Sequence, residues 1–463
     1  MTPTIALTLT ILFVLYAFLM DFRRKSDVSH ALWISLIWMI YSAAKPISFW
    51  IFGGSNAKDE LYYMEGSPVD RNIFSILILL SLIVLIKRKV KWRSILKSNP
   101  LIILWFLYCG ISISWSDFPT VSFKRWIKEI GLLLSVLVVL TENDPIEAVK
   151  TIFRRVSYIL IPFSILLIIY FPKLGVKYDF YSGSVSYGGV SWNKNGLGRI
   201  CLVSGVFFFW NLATMKRIKN SANNKISTNK KEGVFIQYLF IIMTLALLLI
   251  VRSATSSAAF IMGIFILVAL GFKAINKNVK LLGTFIVIAF IIGLVLQTSF
   301  DLIGMYVKSQ GRNLTFTGRT FLWNDLLAFR TNPLIGVGYG SFWLGERLTI
   351  IWEKYVWLPN ESHNGYLNVY LELGTVGLCL LAGVIFFTFR NIRKTLIYNF
   401  DYGRFQMAIL FITLLYNLME DAFGRMTLIW FVFLLTAINI PQGSTLPYSE
   451  KVVDLRSSSV RRK

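Results

Sequence analysis

Charged residues are scarce in this chain, and that scarcity limits what the protein can be. They make up 16% of its 463 residues, whereas soluble globular domains carry about 25%. Hydrophobic residues make up 55% of the chain. They recur in runs of roughly 17–25 residues, the length of a helix that crosses a bilayer core of about 30 Å. These numbers exclude a water-soluble globular protein and predict a polytopic membrane protein.

Cysteine patterns of metal sites and disulfide frameworks are also missing. The three cysteines, Cys109, Cys201 and Cys379, all lie inside apolar runs and lack metal-ligand spacing. The cysteines therefore predict packing or lipid-facing positions and no metal site.

Acidic residues are few, 24 against 48 lysines and arginines, which gives a net charge of +24. Such an excess could indicate nucleic-acid binding. The enrichment of Lys and Arg in cytoplasmic loops of membrane proteins explains most of it better. We therefore predict no nucleic-acid partner, and the remaining cations could serve a polyanionic substrate.

The apolar runs are continuous rather than alternating, which favours helices over a closed barrel. The predicted fold is all-α, with about 12–13 transmembrane helices and a large extracytoplasmic loop. The predicted spans are 4–20, 31–52, 72–86, 99–115, 127–140, 155–171, 196–213, 234–251, 256–272, 281–299, 365–389, 405–419 and 427–440.

Basic clusters decide the predicted orientation of these spans. Arg23-Arg24-Lys25, Lys87-Arg88-Lys89 and Arg390–Lys394 fall on one side, which marks that side as cytoplasmic. The N-terminus is then outside and the C-terminus inside. The predicted divisions are N-terminal helices over 1–190, helices over 191–300 with a cytoplasmic linker near 215–231, an extracytoplasmic loop over 301–364, C-terminal helices over 365–440 and a basic cytoplasmic tail over 441–463.

The polar loop 301–364 is not needed to span a bilayer, so we expect chemistry there. His363 comes first: it precedes the apolar run Tyr366–Phe389, which places it at the outer membrane surface. An unperturbed pKa of about 6.5 suits a histidine to take up a proton near neutral pH. The alternative is a hydrogen-bonded interfacial histidine. His30 lies beside a cytoplasmic basic cluster and has no comparable setting.

Two outward arginines are candidates for holding an anion. Arg252 lies in a tight turn between two spans, where a charge is costly unless it is paired or functional. Arg319 follows Gly318, and a glycine lets backbone approach a ligand closely. A guanidinium group matches phosphate oxygens with a bidentate fork. With His363, these residues would suit a phosphate-bearing substrate beside a general base. The alternative is that each arginine reaches lipid headgroup phosphates.

Asn193, Lys194 and Asn195 begin the predicted seventh span on its outer side. Donors at a helix N-terminus can hold an anion or sugar hydroxyls. The alternative is a helix cap with interfacial anchors. Asn364 and Tyr366 follow His363 in the chain. They are further candidate substrate contacts, as are Gly318, Gly336 and Gly338.

Gly336 and Gly338 belong to a Gly-x-Gly-x-Gly run that superficially resembles a nucleotide-binding loop. No strand precedes it, and the Lys-Ser/Thr of a phosphate loop is missing. The run instead predicts a tight re-entrant turn after Pro333 that lines a cavity. Arg425, beside Glu420 and Asp421, is interpreted as an ion-paired structural residue.

Together these motifs resemble the O-antigen ligase/Wzy polymerase superfamily. The segments that carry the resemblance are Thr317-Gly318-Arg319-Thr320-x-x-Trp323, Asn332-Pro333-Leu334-Ile335-Gly336-Val337-Gly338-Tyr339-Gly340-Ser341-Phe342-Trp343 and Ser362-His363-Asn364-Gly365-Tyr366-Leu367, followed by Glu372-Leu373-Gly374-Thr375-Val376-Gly377. Upstream, Asn193-Lys194-Asn195-x-Leu197-Gly198 and Arg252-Ser253-Ala254-Thr255 are similar to exopolysaccharide polymerases of the ExoQ type. The resemblance covers about residues 190–380.

This resemblance implies a metal-independent glycosyltransferase of the GT-C class, without cofactor, on the outer face of the bacterial inner membrane. Its donor would be an oligosaccharide on undecaprenyl diphosphate, and a flippase and a chain-length regulator are candidate partner proteins. The resemblance assigns the diphosphate to Arg252 and Arg319, and it assigns His363 as base for the acceptor hydroxyl.

Two other functions stay open at this point. A ligase of the same superfamily would transfer a finished glycan to lipid A core or to a protein, and the sequence does not separate these acceptors. A transporter would show charges or broken helices near the bilayer midplane and internal repeats. Lys45-Pro46 in the predicted second span is the best such feature, and no repeat relates the two halves.

Overall fold

A computed structural model describes residues 1–24, 27–52, 66–178, 185–222, 228–272, 281 and 319–441. Its helices are α1 (Pro3–Phe22), α2 (Leu32–Tyr41), α3 (Ile47–Phe52), α4 (Pro68–Lys87), α5 (Trp92–Ser98), α6 (Pro100–Ile111), α7 (Pro119–Leu140), α8 (Pro145–Tyr170), α9 (Pro172–Gly175), α10 (Lys194–Ala222), α11 (Thr228–Val251), α12 (Ala254–Ala269), α13 (Arg319–Ala328), α14 (Glu346–Lys354), α15 (Gly365–Tyr398), α16 (Phe400–Tyr416) and α17 (Leu428–Ala437). A short 3₁₀ helix, Ser112–Trp115, follows α6. Two short strands, β1 (Val176–Tyr178) and β2 (Val185–Tyr187), pair antiparallel.

Proline starts many of these helices, although Pro162 lies inside α8. It stands in the first turn of α1, α4, α6, α7 and α8. Its fixed φ suits that position, and its missing N–H would have no intrahelical partner there. The chain therefore uses proline to fix where its apolar helices begin.

The all-α polytopic membrane fold is confirmed. Six described helices are long and apolar enough to cross a membrane, namely α1, α4, α8, α10, α11 and α15. A seventh candidate is the pair formed by α5 with Pro100–Trp115, which bends by 93°. The predicted span 281–299 lies outside the described residues, and each other predicted span overlaps a helix.

The predicted second span, 31–52, is not one continuous helix. It divides into α2 and α3 around Ser42–Pro46. α2 ends at Tyr41, and α3 begins at Ile47. Proline lacks a backbone donor and disfavours helical conformation in the residue before it, so one helix cannot continue through Lys45-Pro46. Lys45 Nζ instead donates to the carbonyl of Leu174, at 2.6 Å.

The main core lies where α8, α10, α16 and α17 meet. Every residue of α17 is buried, and α10 packs against α8, α11 and α12. In contrast, α1 exposes large apolar side chains such as Ile5, Leu12 and Leu19. Such exposed apolar surface is normal where a helix faces lipid.

A second, smaller core lies in the described part of the polar segment. It consists of Leu322, Leu326, Val337, Phe342, Trp343, Leu348, Ile351 and Leu371. Since Leu371 belongs to α15, this core fastens α13, α14 and the glycine loop to a long apolar helix. The described part of the polar segment, from residue 319 to residue 364, is therefore packed around a core of its own.

Candidate active site

The glycine loop packs directly against a break in α15. Gly374 has φ +65° inside that helix, and Gly336 faces it with φ +66°. A Cβ on Gly336 would overlap the backbone of Glu372, and one on Gly374 would overlap the carbonyl of Leu334. The two backbones touch because neither residue carries a side chain.

Hydrogen bonds complete this contact between loop and helix. Gly338 N donates to the carbonyl of Glu372 at 2.9 Å, and Thr375 N donates to that of Pro333 at 2.9 Å. The tight turn that the sequence predicted after Pro333 is present, with α15 as its support. Gly338 also has positive φ, +94°, and a Cβ there would strike Ser116.

The Glu372 carboxylate ties the glycine loop to the turn between α16 and α17. Its Oε2 accepts from Gly340 N at 2.9 Å, and its Oε1 accepts from Arg425 Nη2 at 3.1 Å. Arg425 Nε lies 2.6 Å from Asp421 Oδ2. The interpretation of Arg425 as an ion-paired residue is confirmed.

The histidine segment is held on both sides by motif residues. Trp323 Nε1, on α13, donates to the carbonyl of Ser362 at 2.8 Å. The Asn364 side chain caps α15 by accepting from Tyr366 N and Leu367 N, both at 3.1 Å. His363 between them has φ +52°, a conformation that is rare for residues with a Cβ and is found at functional sites.

The start of α15 rests on the α16–α17 turn. Gly365 N donates to the carbonyls of Asn417 and Glu420, at 2.8 and 3.0 Å. A Cβ on Gly365 would overlap the Asn417 amide. This close approach brings the Glu420 side chain beside His363.

Glu420 is the centre of the site. Its Oε1 accepts from Arg319 Nη2 at 2.9 Å and from Asn195 Nδ2 at 2.7 Å. Its Oε2 lies 3.5 Å from His363 Nδ1. Arg319 also donates to the carbonyl of Met419. One buried carboxylate thus joins three residues that are far apart in the sequence.

The Arg252 turn joins the same cluster through its neighbour. Ser253 Oγ donates to Asn195 Oδ1 at 3.3 Å, and Gly198 lets α10 approach Ser256 without a clashing side chain. Arg252 itself is exposed, with φ +49°, and it forms no ion pair with a described residue. The structure therefore brings the Arg252 turn, Asn195, Arg319 and His363 together, as the sequence reasoning required.

Two carboxylates change the proton affinity of His363. Its Nδ1 lies 3.1 Å from Glu361 Oε1. Burial alone would lower the pKa of His363, but Glu361 and Glu420 outweigh burial and raise it to about 9. Burial likewise opposes the shift of Glu361, and the pKa of that carboxyl falls to about 2 because of His363 and nearby arginines. The resting site therefore holds an imidazolium at neutral pH, whereas the sequence reasoning used an unperturbed histidine.

The remaining candidates have structural partners or lie elsewhere. Asn193 accepts from Gly196 N at 2.9 Å and caps α10, and Lys194 is the first residue of that helix. Tyr366 donates to the carbonyl of Leu414 at 3.1 Å and packs on Phe423. Gly318 lies outside the described residues.

Sequence reasoning missed Glu361 and Glu420 as site residues. Its position in the chain groups Glu420 with Arg425, whereas its partners are Arg319, Asn195 and His363. One feature of the sequence could have indicated Glu420. The predicted outer turn has two acidic residues, Glu420 and Asp421, for one arginine, so one carboxylate needs a partner from elsewhere.

Glu361, His363 and Glu420 together have the composition of a metal site. One ligand atom each from Glu361, His363 and Glu420 lies within 4.8 Å of the others. Arg319 and Asn195 already use Glu420 Oε1, and the positive charge of the neighbouring arginine disfavours a cation there. The arrangement instead fits a histidine whose Nδ1 is oriented by carboxylates and whose Nε2 can exchange a proton with a substrate.

Two known sequences or sequence families are similar to this chain. The family model described as O-antigen ligase matches residues 238–382, a segment that includes Arg252, Arg319 and His363. The protein described as "Exopolysaccharide production protein ExoQ", from Rhizobium meliloti (strain 1021), is 26% identical over 332 residues. That alignment covers 66% of this chain and 69% of the relative.

Proposed function

We propose, from the chain's place in the ExoQ-like branch of the O-antigen ligase/Wzy polymerase superfamily, that it is a glycan polymerase. It would join oligosaccharide units carried on undecaprenyl diphosphate into an exopolysaccharide or O-antigen-type polymer. The observation that supports this most is the Glu420 cluster, in which His363, Arg319 and Asn195 share one carboxylate. A scaffold protein would have no need for that convergence.

The proposed reaction is a direct displacement. The acceptor hydroxyl oxygen attacks the anomeric carbon of the donor, and the bond from that carbon to the diphosphate oxygen breaks. The neutral form of His363, whose share rises as the pH approaches its pKa of about 9, takes the hydroxyl proton at Nε2. Its Nδ1 faces Glu361 and Glu420. Attack from the side opposite the diphosphate inverts the anomeric configuration.

Cations near the site would stabilise the departing diphosphate. Fixed charges aimed at developing negative charge are usually the largest single contribution to catalysis. Arg252 is exposed and its neighbour Ser253 contacts Asn195, whereas Arg319 is held by Glu420 and the Met419 carbonyl. We therefore propose that Arg252 meets the diphosphate directly, and that Arg319 contributes positive charge and positions Glu420.

The proposed reaction is metal-independent, of the GT-C class, and lies on the outer face of the inner membrane. The positive-inside bias supports this side of the membrane, with the N-terminus outside and the C-terminus in the cytoplasm. A flippase and a chain-length regulator are proposed partners, because lipid-linked units must cross the membrane before they are joined.

Purified protein in nanodiscs should convert undecaprenyl-diphosphate oligosaccharide into a ladder of products, and excess chelator should not stop it. The ladder is resolved by gel electrophoresis. A single transfer to an added lipid A core acceptor, without a ladder, would identify a ligase. Loss of all product with chelator and its return with a divalent ion would instead show that the reaction requires a metal.

A further inference from the structure

An exposed tryptophan lies directly beside the candidate base. The ring centroids of Trp357 and His363 are 5.5 Å apart, and their planes are inclined at 36°. Trp357 is 49% exposed. The His363 side chain is 18% exposed, and because its Nδ1 is buried, that exposure belongs to the rest of the side chain. The accessible part of the histidine therefore opens next to an accessible indole.

The other tryptophans of the described part of the polar segment are tied into the fold. Each donates its indole N–H to a described acceptor at 2.7–2.9 Å: Trp323 to the Ser362 carbonyl, Trp343 to Asn368 Oδ1 and Trp352 to the Pro359 carbonyl. Trp357 Nε1 donates to none of the described residues. Its indole therefore keeps both an apolar face and a donor for something outside this part of the chain.

A tight turn, Tyr355–Leu358, holds this indole at the surface. Leu358 N donates to the carbonyl of Tyr355 at 2.9 Å. Leu358 has φ +48°, a conformation that is rare for a residue with a Cβ and that persists where the surrounding structure imposes it.

Tyr355 fixes the turn to α13. Its hydroxyl donates to Asp325 Oδ2 at 2.5 Å, and its ring packs on the indole of Trp357 with centroids 5.9 Å apart. The indole is thus supported on one edge by Tyr355 and on another by His363, while about half of its surface stays open.

A membrane anchor is the competing role for this turn. Val356 and Leu358 flank Trp357 and are 72% and 38% exposed, and tryptophan is enriched at membrane interfaces. However, the charged residues Glu353 and Lys354, which precede the turn, are exposed as well. An anchor also has no need to contact the base. The contact with His363 therefore favours a role in the reaction.

We propose that Trp357 binds the acceptor glycan, by stacking its indole face against the C–H face of a pyranose ring whose hydroxyl meets His363. The indole N–H is then available to a neighbouring sugar oxygen. Since the two side chains touch, a sugar on the indole lies next to the imidazole. The proposal rests on the glycan transfer proposed above and names a residue that selects and orients the acceptor.

Binding of a soluble glycan to the full-length protein in nanodiscs tests this directly. The probe is the free oligosaccharide that mild acid releases from the producing strain's own lipid-linked unit, and binding is measured by isothermal titration calorimetry. Trp357→Ala should bind roughly tenfold more weakly, because the stacking face is lost. Trp357→Phe keeps an aromatic face and should retain most of the affinity. Trp92→Ala, another exposed tryptophan, should bind like the unmodified protein.

Kinetics separate a sugar platform from a residue that merely packs on the base. With the same oligosaccharide as acceptor, Trp357→Ala should raise the acceptor KM by roughly tenfold, with the donor KM and the pH profile unchanged. If this variant misfolds, Trp357→Leu, which is apolar but has no flat ring, should show the same rise. A lower kcat and a shifted pH profile, with the acceptor KM unchanged, would overturn the proposal.

A comparison of nanodiscs with detergent micelles separates the platform from a membrane anchor. The platform predicts the same rise in acceptor KM in both, and it predicts no effect of Val356→Asp. A defect of Trp357→Ala that appears only in nanodiscs, or an equal defect in Val356→Asp, would identify an anchor and overturn the proposal.

The platform and the polymerase function can fail separately. If the protein builds a ladder of products while Trp357→Ala binds the oligosaccharide normally, only the platform is wrong. If binding depends on Trp357 but no ladder forms, the polymerase function is wrong and the glycan-binding residue stands.

Discussion

The Asp21 cluster and the Glu420 cluster both bring arginine and carboxylate groups together inside the protein. In the Asp21 cluster, Arg154 Nε lies 2.7 Å from Asp21 Oδ1, and Arg155 Nε lies 2.8 Å from Asp21 Oδ2. Arg154 Nη2 also reaches Glu147 Oε1 at 2.9 Å. Each carboxylate oxygen of Asp21 has its own arginine, and all three residues lie on regular helices, α1 and α8.

The Glu420 cluster lies on turns and helix ends instead. Its histidine has a left-handed backbone, and His363 Nδ1 has two carboxylates within 3.5 Å. Arg252 is exposed, and its neighbour Ser253 contacts Asn195 of the cluster. We infer that the Asp21 cluster is structural, because its charges are paired within the fold. The Glu420 cluster combines a strained backbone with an accessible charge that a substrate can use.

The largest expected effect is the loss of catalysis in His363→Ala. Removing a general base reduces turnover by about 10²–10⁴-fold. The variant also loses the imidazolium beside Glu361 and Glu420, so some loss of stability is expected and turnover is referred to folded protein. Polymer formation per mole of folded protein is the measurement. His30→Ala, an exposed histidine, is the control, and a His363→Ala variant with normal chain length would remove His363 from the mechanism.

The next prediction compares two variants that each remove one carboxylate charge, Asp21→Asn and Glu420→Gln. Asp21→Asn leaves two buried arginines without their carboxylate and should cost about 3–5 kcal/mol of unfolding free energy. Glu420→Gln should cost less stability but lower turnover, because it releases Arg319 and changes the charge at His363. Thermal unfolding in detergent and turnover per folded molecule are measured for both. Equal losses of stability and activity in the two variants would mean that the clusters do not differ in kind.

The smallest effect is a shift in the pH dependence of turnover in the variant Glu361→Gln. A base must be neutral to accept a proton, and the pKa of His363 is raised to about 9. Turnover should therefore rise with pH until about pH 9. Glu361→Gln removes the nearest carboxylate, so the profile should move to lower pH by roughly 1–3 units. A profile that falls between pH 7 and 9 would mean that the imidazolium, rather than the base, is the active form.

The same raised pKa has a consequence for stability. Because the folded-state pKa exceeds the unfolded value, the protonated histidine stabilises the fold fully below about pH 6.5. That contribution is lost as the pH rises from there through about 9. His363→Ala should remove this part of the pH dependence.

The sequence predicted the all-α membrane fold because each helix satisfies its own backbone and only needs an apolar run of sufficient length. Of the 12–13 predicted spans, the described residues hold six helices, or seven with the bent pair, that are long and apolar enough to cross a membrane. It predicted 31–52 as one span because hydropathy measures apolar composition and not the backbone conformation that Lys45-Pro46 imposes. His363, Arg319 and Asn195 could be proposed because residue type and motif spacing mark them. Glu420 could not be proposed, because its role depends on contacts with residues 101 and 225 positions away.

The contact between Gly336 and Gly374 also limits how the protein can be repaired by mutation. A side chain on either glycine would meet main-chain atoms of the other segment rather than a side chain. No smaller neighbouring residue can make room, since the obstructing atoms are common to every amino acid. A genetic suppressor of Gly336→Ala would have to alter the path of the chain, by an insertion or deletion, rather than the size of a nearby side chain.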